Sequence, residues 1–103
     1  AICRQLGDAR GEAITLANLG LLHGGQRRHA EALGCYEQAL AICRRVGDRY
    51  EEAEALRGLG CAVAAVQGAR AARAYWTAAL SIFESLAAPQ ADAVRSLLAD
   101  HAD

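Results

Sequence analysis

Residues 1–8 read AICRQLGD, residues 41–48 read AICRRVGD, and the similarity between the two stretches continues without a gap. Aligning residues 1–40 on 41–80 gives 14 identities, and most other positions keep their apolar or polar character. A degenerate third copy opens at Ser81 with SIFESLAAP. This fixed period of 40 residues constrains the fold more than any other feature of the chain. A unit of that length cannot bury its apolar face alone and does so against its neighbours, which is the arrangement of a solenoid. The functional expectation then moves from a catalytic pocket to a shaped surface.

Within each copy the apolar residues follow helical spacing. Ala13, Leu16, Leu19 and Leu22 recur at intervals of three, and Ala32, Leu33, Tyr36, Ala39, Leu40 and Cys43 form a second stripe. Gly7–Asp8 and Gly47–Asp48 each read as a left-handed stop followed by an N-cap, and Asp48 with Glu51 has capping-box spacing. The expected helices are 9–25, 28–46, 49–66 and 69–86, with residues 1–6 as the tail of an earlier helix. Pro89 suits the first turn of a last helix with Ala91, Val94, Leu97 and Leu98 on its buried face. Gly20 and Gly60 are expected where helices approach closely, facing Ala32 and Ala72, with Tyr36 and Trp76 filling the adjoining groove.

The spacing Leu16–Leu19–Gly20, then Ala32, Tyr36, Ala39 and Leu40, recurs as Leu56–Leu59–Gly60, then Ala72, Trp76, Ala79 and Leu80. This pattern resembles the tetratricopeptide repeat, a helix–turn–helix unit of typically about 34 residues. The longer period and the GD turn resemble its extended 40-residue class, found in signalling scaffolds and large bacterial regulators. The resemblance implies an all-α solenoid of antiparallel helix pairs in a right-handed superhelix. Residues 8–47 and 48–88 would be its units, 1–7 the tail of a preceding repeat, and 89–103 a capping helix or partial repeat. It also implies a non-catalytic scaffold that binds a protein, a peptide or other domains of a larger parent chain. The alternative is an effector-sensing or oligomerisation segment of a bacterial transcriptional regulator, with DNA-binding and nucleotide-binding domains upstream.

At 103 residues the chain is one small domain. It is 53% hydrophobic but only 5% aromatic, so Ala and Leu must fill the core, which favours closely packed helices. A net charge of −1 gives no electrostatic footprint for nucleic acid. The longest wholly apolar run, Cys61–Val66, is too short to span a bilayer, and no secretory leader opens the sequence. The expected location is cytoplasmic. All 11 basic residues are Arg and Met is absent, which points to GC-rich, bacterial coding and to a fragment of a larger protein.

No constellation supports catalysis, metal binding or a cofactor. Cys3, Cys35, Cys43 and Cys61 form no C-x-x-C pair, and His23, His29 and His101 supply no zinc spacing beside them. Phe83 stands in the third copy where Cys3 and Cys43 stand in the first two, so the thiols read as small core hydrophobes. Gly24–Gly25–Gln26–Arg27–Arg28 lacks the phosphate-loop pattern and reads as a plain turn. What remains is the concave surface that the resemblance assigns to the first helix of each pair. By matched position it takes Ile14, Ala17, Asn18 and Leu21, then Glu54, Arg57, Gly58 and Cys61, then Val94, Leu98 and His101. The family's carboxylate clamp finds Ala17, Leu21, Gly58, Val94 and Leu98 at its places, so chaperone-tail binding is not implied. Asn18, Leu21, Glu54, Arg57 and Cys61 are the candidate protein-binding residues. The plainer reading is a solvated Asn18 and a Glu54–Arg57 pair at helical spacing. A further expectation is self-association through an exposed N-terminal face formed by Leu16, Leu19 and Leu22.

Overall fold

A computed structural model of the chain describes the backbone of residues 2–101 and the side chains of residues 8–101. Five α-helices follow one another among them: α1 (Ile2–Gly25), α2 (His29–Val46), α3 (Arg49–Gln67), α4 (Ala69–Ser85) and α5 (Gln90–Asp100). The described residues contain no strand. Packing is most extensive within the hairpins α3/α4 and α1/α2, then between α2 and α3, with α5 against α4. Each helix thus packs on the helices beside it in sequence, and the molecule measures 49 × 31 × 17 Å. This is a helical-repeat solenoid of the kind the period implies.

The turns are built from local chemistry. Gly47 is left-handed at φ 77°, and the amides of Gly47 and Asp48 both donate to the Cys43 carbonyl, at 2.9 and 3.0 Å. The Asp48 carboxylate then accepts from the Glu51 amide at 3.1 Å, capping α3 as the sequence predicts. Arg27 and Ala87 occupy the same left-handed place after α1 and α4, at φ 61° and 53°. There Arg28 donates to the His23 carbonyl (2.8 Å) and Ala88 to that of Phe83 (2.9 Å). Pro89 sits one position earlier than expected, at the N-cap of α5.

The Gly7–Asp8 break does not form. The chain runs helically through both residues, so α1 begins at Ile2 and not at Ala9. At Gly47 the chain turns because α2 has a whole face to bury on α3.

One apolar cluster runs through α2, α3, α4 and α5, with Trp76, Phe83 and Val94 at its most enclosed points. A smaller one joins Ala13 of α1 to Ile42 and Cys43 of α2. Tyr50 packs edge-on against Phe83 (6.0 Å between centroids) and accepts a hydrogen bond from Gln90, tying α3 to the start of α5. Glu52 is buried between two guanidinium groups, Arg44 at 3.3 Å and Arg49 at 3.0 Å, which fixes the end of α2 to the start of α3.

The glycines make room for the aromatic of the second helix. A Cβ at Gly20 would stand 2.8 Å from the Tyr36 ring, and one at Gly60 would stand 2.6 Å from the Trp76 indole. Gly58 plays the same part for the neighbouring unit, since a Cβ there would enter the Tyr36 ring. Tyr36 is therefore wedged between Gly20 of α1 and Gly58 of α3.

Candidate functional site

The wedged Tyr36 forms the floor of a cleft of about 380 Å³ between α1 and α3. Ile14, Ala17, Asn18 and Leu21 line one wall, Glu51, Glu54, Arg57, Gly58 and Cys61 the other, and Leu97 of α5 closes an end. The cleft continues into an apolar hollow of about 240 Å³, where Leu21, Tyr36, Gly58 and Cys61 meet Gly24, His29 and Ala62. The five candidate residues are thus brought together around one concavity. Helical spacing explains this, because Asn18 and Leu21 lie one turn apart on α1, and Glu54, Arg57 and Cys61 do so on α3.

Exposure grades across the cleft. Leu21 is 70% exposed, Asn18 and Cys61 are exposed, and Glu54 and Arg57 are half-buried. Arg57 pairs with Glu54 at 3.0 Å, so both charges are partly answered within α3. Glu51 lies deeper among acidic groups. Burial first, then Asp48 and Glu54, raises its carboxyl above the ordinary value of 4.5, with Arg10 opposing the shift. Burial also pushes up the Tyr36 hydroxyl, which stays neutral at the cleft floor. The result is an apolar trough with a neutral hydroxyl below, an amide on one side, and an ion pair plus a reluctant acid on the other. Such a surface offers hydrogen bonds and apolar contact to a chain laid across it.

Three positions differ from the matched pattern. Val94 is fully buried in the core and does not reach the cleft, and Leu98 is half-buried against the same core. The neighbouring Leu97 faces the cleft in their place. Leu98 stands where α3 has Gly58. Ala91 and Val94 of α5 are buried in the core, and Leu97 and Leu98 pack against it. His101 instead stacks on Trp76, at 5.4 Å between ring centroids, while Arg73 donates to the carbonyls of Leu98 and His101 at the end of α5.

The thiols also divide. Cys43 is buried, and burial, followed by Asp48, Glu51 and Glu52, pushes its pKa up to about 11. Cys35 is half-buried, whereas Cys61 is exposed in the cleft and is not a core hydrophobe. Cys3 lies outside the described side chains. Tyr36, like Leu97, is a cleft residue that sequence reasoning assigned only to packing. The gap-free pairing of Asn18 with Gly58 carried the signal, because only the second copy has a glycine on which the ring can rest.

Among the described residues no helix is long and apolar enough to cross a membrane, and no group of three or more His, Cys, Asp or Glu could hold a metal ion. A family model described as tetratricopeptide repeat matches residues 1–45 and 11–85. No curated protein and no solved structure matches the chain.

Proposed function

The chain belongs to the tetratricopeptide repeat family, whose repeats mediate protein–protein interaction, and from that premise we propose that it is a non-catalytic module holding a protein segment in the cleft between α1 and α3. One observation carries the reading. The positions that vary between copies, Asn18, Leu21, Glu54, Arg57 and Cys61, line a single concavity, while the residues that repeat hold the hairpins together. An apolar side chain of the segment enters the hollow beside Leu21 and Tyr36. Its backbone or polar groups meet Asn18 and the Glu54–Arg57 pair. A convex hollow of about 310 Å³ lined by Glu37, Ala41, Arg44 and Tyr75 is the competing surface.

Panning a random peptide library against the chain tests this. Selected peptides should lose about tenfold or more in affinity to the double variant Asn18→Ala with Arg57→Gln, as for a truncated anchor pair. The melting temperature should hardly move, because Asn18 is exposed and an ion pair at three-residue spacing on one helix, such as Glu54–Arg57, contributes about 0.2–0.5 kcal/mol. Undiminished binding to the double variant, alongside lost binding to Tyr75→Ala, would shift the function to the convex face.

A further inference from the structure

The two units hold the same aromatic seat and cover it differently. Trp76 stands 40 residues after Tyr36, and His101 stands 40 residues after Cys61. In the second unit the imidazole of His101 lies over the Trp76 indole, with 5.4 Å between centroids and 32° between planes, and Trp76 is only 1% exposed. Arg73 holds the end of α5 there, donating to the carbonyls of Leu98 and His101 at 3.3 and 3.4 Å. In the first unit the place of that ring belongs to Cys61, which has no ring to offer. The apolar hollow of about 240 Å³ beside Leu21, Tyr36, Cys61 and Ala62 stands there instead. A ring entering it gains an aromatic contact with the phenol beyond the area it buries, which an aliphatic side chain does not. A hydrocarbon ring suits the hollow better than an imidazole, whose nitrogens lose water on entry.

The other end of the cleft is short of a cation. The Asp48 carboxylate caps α3 at the Glu51 amide (3.1 Å) and pairs with Arg10 (2.7 Å), and Arg57 pairs with Glu54 (3.0 Å). Among the described residues the ion pairs leave Glu51 without a partner. Burial, Asp48 and Glu54 raise its carboxyl against the pull of Arg10. A positive charge brought to this wall restores the balance.

We propose that the occupant of the cleft is a protein segment with two required side chains, an aromatic ring that lies on Tyr36 in the hollow and an arginine or lysine that reaches Glu51. Glu51 and Cys61 are ten residues apart on α3. That is about 15 Å along the helix, so an extended segment carries the two about four or five residues apart. The inference rests on the cleft as the binding face and adds what the partner must bring to it.

The probe is a peptide selected from a random library against the whole chain. Selected sequences should share the ring and the basic residue at that spacing. Replacing the ring by leucine should weaken such a peptide about tenfold or more. Cys61→His puts on α3 the ring that its counterpart carries on α5. It should weaken the parent peptide by a similar factor and the leucine version hardly at all, with the melting curve as a folding control. The leucine replacement needs no variant of the chain, so the test decides even if Cys61→His unfolds. Glu51→Gln should weaken the parent peptide about threefold, and a version with glutamine for its basic residue by less. Peptides that lack a ring yet lose affinity to Asn18→Ala with Arg57→Gln would overturn the inference and leave the cleft reading standing. Peptides indifferent to that double variant would overturn both. A ring that leucine replaces without loss, or a basic residue that Glu51→Gln does not touch, also overturns the inference.

Discussion

A Cβ added at Gly58 would enter the ring of Tyr36, whereas one added at Gly34 meets nothing within 4 Å. One substitution should therefore have opposite signs at two helical sites. Gly34→Ala removes the conformational entropy that glycine loses inside α2 and should stabilise the fold by about 1 kcal/mol. Gly58→Ala gains the same entropy but displaces Tyr36, and overpacking of this kind typically costs about 1–3 kcal/mol. Urea denaturation of the two variants checks this. Equal shifts would mean that the ring yields freely and that Gly58 does not set its position. The same ring position decides the depth of the cleft, so peptide affinity should fall at Gly58→Ala and hold at Gly34→Ala.

The start of α3 collects capping, charge and the wall of the cleft in one turn. Glu51 donates its amide to Asp48 while its carboxyl is raised by burial and by the carboxylates of Asp48 and Glu54. A carboxyl with a raised folded-state pKa binds more protons when folded than when unfolded. Stability therefore falls as pH rises from the ordinary value of 4.5 to the folded-state value, and the whole penalty remains above it. Glu51→Gln keeps the amide and removes the charge. It should raise the melting temperature at neutral pH and leave it unchanged below the ordinary carboxylate range. Melting curves from pH 3.5 to 7.5 check the sign, and a constant difference across that range would contradict it. Much of this element was legible beforehand, because Gly47, Asp48 and Glu51 carry their turn chemistry in three residue types. The identical Gly7–Asp8 pair was not legible, because whether a chain turns there depends on what the preceding segment can bury. Nor was the floor of the cleft: Tyr36 reads as packing in its own hairpin, and only the neighbouring Gly58 gives it a second face. Val94 misled because its position matches Glu54, while its apolar side chain belongs to the core.

The whole molecule is a short stack whose repeated residues form its seams and whose variable residues form its open faces. Helix order and helical class came from the 40-residue register, since period and spacing are one-dimensional properties, and the five candidate residues came from the family resemblance laid on that register. The inward face of α5 was legible as well, with Ala91 and Val94 buried and Leu97 and Leu98 packed against the core, and it conflicts with the groove places assigned to Val94 and Leu98. The central claim is that the partner lies between α1 and α3. It is tested most directly by titrating the isotope-labelled chain with a panned peptide and following backbone amide shifts by NMR. The account predicts the largest shifts at Asn18, Leu21, Glu54, Arg57 and Cys61, with the Tyr36 ring protons moving with them. Shifts concentrated instead at Glu37, Ala41, Arg44 and Tyr75, with the cleft amides still, would contradict it.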